Sequence, residues 1–580
     1  MTSILLHLGP DHQLTPDKLE AAALAGQLSV RLSDAARIAM ESSRDALEAA
    51  RAAGQPIYGL TTGFGPHVCY PAASDALQGA GLIAHLAAGA GAFAPAPVVR
   101  ATVIARTQAL AQGYSGVDAS LAESLLGLVK HGIAPAVPEI GSVGASGDLT
   151  PLAHIVRVLT GEGTTIHRGR REPAIRALLR AGLRPLSLSS REALGLVNGT
   201  AFMTAYLSLA VARAERLVET AERLTGWLYR SLGARRAALD ARLHHARGHA
   251  GQRRSAEVIR TEIAWGDPAE SEDDTRTLQE VYALRCAPQI LGACRDNIAY
   301  ARRLTEAELN GVSDNPLVFS DGPAVLHGGN FQGQQIAFAA DALNAAITQV
   351  GVLAERQLDL LLDPKRGVVG EAPLLLAWEP GETSGLAGAQ LTATALVAEL
   401  RHHAQMSAVA SIPTNGGNQD VVSMGTMAAR TAYGQTERLA PILAAVGMAL
   451  AQLGHLRRHE RAGGAPVTAP PWMPRFAPLK QDRALHEDLH RIAARWLQPT
   501  DALAMMPVLV DSDSHEAAMA EEGALDADAS DIGASDIGTS DMGTPDMNAP
   551  GMDVPESHGP DLPHQGDGAP SPDSELPSWE

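Results

Sequence analysis

Apolar residues recur along this chain mostly at helical spacing, with polar residues between them, so the pattern predicts helices rather than sheets. The clearest stretches lie at about 98 to 132, 198 to 233, 334 to 362, 387 to 411 and 418 to 458. Alanine is frequent on their faces, which lets helix axes approach closely while leucine fills the seams. Shorter helices are expected from Thr15-Pro16, a capping hydroxyl before a residue tolerated at the first helical position, and from Ser33 towards Gly54. Alternating strand patterns are sparse. Between 54 and about 83 the run Tyr58-Gly59-Leu60-Thr61-Thr62-Gly63-Phe64-Gly65 breaks the periodicity and predicts a loop. The expected fold is mainly α, a bundle of long helices with irregular loops at its ends and a small mixed region before it.

A chain of 580 residues can bury a large core and hold two or three regions. Its acidity is local, because residues 511 to 580 carry 18 Asp and Glu and no Lys or Arg. Removing those 18 from the formal net charge of -19 leaves -1 for the rest, so the body lacks the basic surface of a nucleic-acid binder. The acidic stretch repeats a loose five-residue unit (DIGAS, DIGTS, DMGTP, DMNAP), a composition that predicts a disordered tail. The chain therefore divides into 1–200, 201–510 and 511–580. Three scattered cysteines, Cys69, Cys286 and Cys294, are too few for a disulfide framework or a cysteine-rich zinc site. No secretory signal is evident at the start, and the most apolar helix, near 439 to 454, is interrupted by Pro441 and Gln452. A soluble, cytoplasmic protein with no membrane or nucleic-acid partner is expected.

The segment Gly141-Ser142-Val143-Gly144-Ala145-Ser146-Gly147-Asp148-Leu149-Thr150-Pro151 carries the most chemical information. It is no phosphate loop, since Asp148 stands where a lysine is needed, and no hydrolase elbow, which requires glycine at that same position. It does permit close backbone approach, because Gly147 lacks a Cβ and Ala145 has only a methyl. The nitrogen of residue 147 can then close a five-membered ring on the carbonyl carbon of residue 145. Loss of water from that ring, and of a second across Cα and Cβ of Ser146, leaves a methylidene conjugated to a carbonyl, an electrophile made without a cofactor.

This segment, with its continuation to Ala153-His154, resembles the prosthetic-group motif of the histidine, phenylalanine and tyrosine ammonia-lyases. The resemblance runs over about residues 1 to 505 and is nearest the bacterial tyrosine-specific branch. It implies a fumarase/aspartase-like long-helix bundle, a 4-methylidene-imidazol-5-one made from Ala145, Ser146 and Gly147, and a homotetramer whose sites draw residues from several subunits. Tyr58 matches the family's base for the substrate β-proton. A phenol has an ordinary pKa of ~10, so that role needs surroundings that hold it as phenolate, and the alternative is a buried loop anchor. Asn198 matches a residue touching the electrophile or substrate, and could equally be a cap opening the next helix. Gln279, Tyr282 and Arg285 match a substrate-binding cluster, sharing one face if that stretch is helical, with Arg285 gripping the α-carboxylate. Phe331, in His327-Gly328-Gly329-Asn330-Phe331, corresponds to a ring set against the prosthetic group, and Asn330 to a scaffold residue. Gln419 corresponds to a residue near the substrate amine. His245 and His249 have the i, i+4 spacing of metal ligands but lack a third partner, and His249-Ala250-Gly251-Gln252 resembles a structural family segment, so no metal is expected.

The family reads its substrate at a pair of residues after the Tyr58 loop, here His85-Leu86. Histidine lyases resemble Ser-His there, phenylalanine lyases Phe-Leu and tyrosine lyases His-Leu. Gln332 and Gln419 also depart from the histidine branch, which has His and Glu in their places. The resemblance thus implies loss of ammonia from L-tyrosine to give trans-p-coumarate. Tyrosine 2,3-aminomutase and histidine or phenylalanine ammonia-lyase remain the alternatives.

Overall fold

The computed structural model describes residues 4–499 apart from 73, 168, 266–277, 322–323 and 367–371, so the acidic stretch beyond 510 lies outside the described residues. Five helices pack side by side as the core: Ala201–Leu232, Ala250–Trp265, Ala287–Asn310, Gln334–Leu362 and Gly425–Arg458. Ala201–Leu232 is buried on nearly every side, with Phe202, Tyr206, Leu209 and Trp227 in the interior. Small residues set the closest crossings. A Cβ on Gly251 would come within 2.2 Å of the Gly292 carbonyl oxygen, so the helices carrying them meet backbone to backbone. Gln334–Leu362 and Gly425–Arg458 are long and apolar enough to cross a membrane, but most of each apolar stretch is buried in this bundle.

The N-terminal region is mixed. Strands Ile4–Leu8 and Leu28–Leu32 pair in parallel, which requires the crossover made by helix Pro16–Leu24. Thr15 and Ser33 cap as expected, accepting from the N–H groups of Lys18 at 3.3 Å and Ala36 at 3.1 Å. Short antiparallel ladders join Ala90–Phe93 to Pro138–Ile140, Ala134–Pro135 to Thr164–His167, Thr164–His167 in turn to Arg170–Pro173, and Leu317–Val318 to Val325–Leu326.

Several boundaries differ from the sequence reading. The expected loop from 54 to 83 contains most of helix Asp75–Leu86. The stretch 98 to 132 splits into Ala96–Ala111 and Ala119–Lys130, because Gly113 and Gly116 take left-handed φ of 79° and 62° that end the first helix. The helix expected over 387 to 411 stops at His402, and the last long helix begins at Gly425 instead of 418. His245 and His249 do not share a helix, since Gly248 at φ 88° closes Ala241–Arg247 before Ala250–Trp265 begins.

Candidate active site

The glycine-rich segment is held by the N-terminal ends of three core helices. The Gly144 carbonyl accepts from the Gly333 N–H at 3.2 Å and the Ser423 hydroxyl at 2.9 Å, and the Val143 carbonyl accepts from the Met424 N–H at 2.9 Å. Asp148 reaches the third helix, accepting from the N–H groups of Phe202 and Met203, each at 2.9 Å. Its other carboxylate oxygen accepts from the Ser142 hydroxyl at 2.9 Å and the Thr426 hydroxyl at 2.5 Å. Burial pushes this carboxyl up to about 6, against four hydrogen bonds that favour the anion. Three helix N-termini converging on one loop also place positive potential beneath it.

Gly147 and Gly199 cross at the base of the loop. Gly147 has φ 65°, and a Cβ there would lie 2.2 Å from the carbonyl carbon of Gly199, so only glycine fits. The Asp148 N–H donates to the Gly199 carbonyl at 2.7 Å, locking the crossing. Beneath it, fully buried Arg106 donates from Nε to the Gly195 carbonyl at 3.0 Å and from Nη1 to the Ser313 carbonyl at 3.3 Å. Burial lowers its guanidinium to about 10 while Asp314 opposes the shift.

Above the loop lies a cavity of about 1110 Å³. Its walls bring together Tyr58, His85, Leu86, Ala145, Ser146, Gly147, Asn198, Phe331 and Gln419 from segments far apart in sequence. The Gln419 amide donates to the Ser146 hydroxyl at 2.8 Å. Asn198 is almost wholly buried, and its Oδ1 has no hydrogen-bond partner. It does not open a helix: it terminates Ser190–Val197, and Thr200 precedes the next one. Tyr58 stands on the loop, its phenol oxygen accepting from the Gly65 N–H at 2.7 Å and its own N–H donating to His327 Nε2 at 3.1 Å. Burial raises the phenol above its ordinary value, and the Gly65 hydrogen bond opposes it.

Gln279, Tyr282 and Arg285 are not among the residues lining this cavity. Nor do they share a helical face, because the helical turn covers only Tyr282–Arg285 and Gln279 precedes it. Tyr282 is 67% exposed, with the Arg285 guanidinium 4.6 Å above its ring. Asn330, expected as scaffold, is exposed within the 327–331 segment. Conversely, the cavity includes Gln78, Asn315, Asn415 and Asn418, to which the sequence reading assigned no role. Asn315 is the most informative. Its Oδ1 is committed to the Gly328 N–H at 2.8 Å, and its backbone is fixed by buried Asp314 and Arg191. The run Ser313-Asp314-Asn315-Pro316 looks like an ordinary turn in sequence, and only its burial marks it.

The chain matches the family model for aromatic amino acid lyases over residues 14–470. It is 39% identical to a tyrosine ammonia-lyase of Cereibacter sphaeroides, over 84% of this chain and 97% of that protein. A histidine ammonia-lyase of Stigmatella aurantiaca is 36% identical over 80% of this chain and 92% of its own length. Among solved structures, the tyrosine aminomutase from Streptomyces globisporus superposes with a TM-score of 0.77 at 33% identity, covering 85% of this chain and 97% of that one.

Proposed function

Because the chain belongs to the aromatic amino acid lyases, carbon–nitrogen lyases by class, we propose that it removes ammonia from L-tyrosine to give trans-p-coumarate, aided by a 4-methylidene-imidazol-5-one formed from Ala145, Ser146 and Gly147. The residues around the loop fit that group. Gly147 occupies a place no side chain could share, Gln419 holds the Ser146 hydroxyl, and the unpartnered Oδ1 of Asn198 lies in the same cavity wall. Once formed, the group supplies an electrophile that draws electron density from the amino acid, whose β-proton is otherwise barely acidic.

The protein's own groups divide the remaining work. Tyr58 receives the β-proton, and the Gly65 N–H stabilises the phenolate that does so. Asn315, its oxygen already occupied, offers amide N–H donors suited to a carboxylate. Phe331 walls the cavity, and Gln419 lies near the substrate amine.

The observation that carries tyrosine as substrate is at His85. Its Nδ1 lies 2.8 Å from the Gly81 carbonyl oxygen, which can only accept, so Nδ1 holds the hydrogen and Nε2 offers a lone pair. A tyrosine hydroxyl would donate to that nitrogen, whereas phenylalanine would leave it unpaired. Leu86 supplies apolar surface beside it.

A homotetramer is part of the same proposal. Exposed Leu278, Val281 and Tyr282 surround the helical turn bearing Arg285, and a second copy covering them would bring Gln279, Tyr282 and Arg285 to this cavity. The three free cysteines are consistent with a reducing cytoplasm.

Likeness to the Streptomyces globisporus tyrosine aminomutase supports a second reading, in which ammonia returns to the β-carbon. Purified protein supplied separately with tyrosine, phenylalanine and histidine distinguishes the possibilities. Coumarate from tyrosine is the expected product, β-tyrosine would select the aminomutase, and urocanate from histidine would overturn the substrate assignment. Intact mass should fall short of the encoded mass by two waters.

A further inference from the structure

The backbone of Tyr58 is held by a residue that has so far had no role. His327 follows strand Val325–Leu326, and its Nε2 accepts the Tyr58 N–H across 269 positions of sequence. In this contact Nε2 is the acceptor, so any ring hydrogen stands on Nδ1. Among the described residues, no other hydrogen bond joins Tyr58 to a segment distant in the chain. The Thr61 and Thr62 hydroxyls close the loop on itself at Ile57 and Gly59, while Gln78 grips the Thr62 carbonyl, four residues beyond the phenol.

The residues after His327 reach the other parts of the site. The Gly328 N–H donates to Asn315 Oδ1, Phe331 lines the cavity, and the Gly333 N–H donates to the Gly144 carbonyl. One short segment therefore connects the backbone that carries the Tyr58 phenol, a cavity amide, an aromatic wall and the glycine-rich loop. From this we infer that His327 is a positioning residue: its acceptor nitrogen sets where the Tyr58 oxygen stands relative to residues 145–147, and so sets the rate of β-proton transfer. The inference rests on Tyr58 being the base. A displacement of ~1 Å at a reacting group can cost ~100-fold in rate, whereas substrate binding elsewhere in the cavity is untouched.

Full-length His327→Leu and His327→Gln are compared with wild type and Tyr58→Phe. The measurements are kcat, KM, the isotope effect with β-deuterated tyrosine, and intact mass. His327→Leu should lower kcat by about 10- to 100-fold with KM within about threefold, because the lost interaction acts on the chemical step. Its isotope effect should rise, and its mass should still fall two waters short. His327→Gln, whose side-chain oxygen can accept the same N–H, should recover most of the rate. The inference is overturned by a leucine variant with unchanged kcat and isotope effect, by glutamine performing no better than leucine, or by a loss of rate that tracks incomplete loss of water. Tyr58→Phe at the wild-type rate would instead remove the base assignment on which the inference stands.

Discussion

At the scale of single residues, the cavity relies on hydrogen-bond polarity as much as on shape. His85 Nδ1 is held by the carbonyl one turn earlier, and in the proposed reading the other ring nitrogen is what tells a phenol from a plain phenyl ring. Replacing His85 by phenylalanine should shift the tyrosine-to-phenylalanine ratio of kcat/KM by roughly 10-fold, the ~1.4 kcal/mol of a hydrogen bond lost at a partly open position. Steady-state kinetics with both substrates measures this, and an unchanged ratio would refute the His85 assignment. Tyr58 leads to a pH expectation. Its phenol is raised by burial, so the neutral form dominates at neutral pH and the basic form grows as pH increases. kcat/KM should therefore climb from neutral into alkaline solution, by about tenfold per pH unit while the phenol is mostly protonated. A Tyr58→Phe variant should lose that limb, and a wild-type profile flat across this range would count against Tyr58 as the base.

At the scale of elements, the glycine-rich loop owes its place to helix ends. Asp148 serves as a tertiary cap for Ala201–Leu232, taking the N–H groups of Phe202 and Met203 that the helix cannot satisfy internally. Asp148→Ala strands both, while the Thr426 and Ser142 hydroxyls keep each other and the Gly147 carbonyl as partners; the change should cost about 2–3 kcal/mol. A lowered urea midpoint with unchanged slope would show it, and Asp148→Asn, which keeps an acceptor, should lose less. An alanine variant as stable as wild type would mean that the cap contributes little. The same helix end shows why boundaries were hard to read from sequence. Asn198 and Thr200 are both good caps by residue type, and choosing between them required the Gly147–Gly199 crossing, which comes from a segment fifty residues earlier.

At the scale of the whole molecule, the cavity gathers the glycine-rich loop, the phenol and His85 but not Arg285, which is the ground for the proposal that the site is shared between copies. If a second copy supplies Arg285, then Tyr58→Phe and Arg285→Ala chains, each slower by at least ~100-fold alone, should regain measurable activity when co-expressed. No recovery in a mixed oligomer confirmed by native mass measurement would place the complete site in one chain. The sequence by itself determined the mainly helical character, the family and the glycine-rich segment, because apolar periodicity and glycine at backbone crossings are local demands that each residue declares. It could not determine which residues face one cavity. Asn315 sits in a run with no distinctive motif and His327 in a segment read only for Phe331, and what marks them is the burial of Asn315 and its contact with Arg191, and the bond from His327 to Tyr58 across 269 positions. Gln279, Tyr282 and Arg285 show the converse, since regular spacing suggested a common helical face and the chain instead forms a single turn there. Only the tertiary structure decided these matters, because a hydrogen bond acquires direction and a carbonyl becomes reachable only once distant segments have packed.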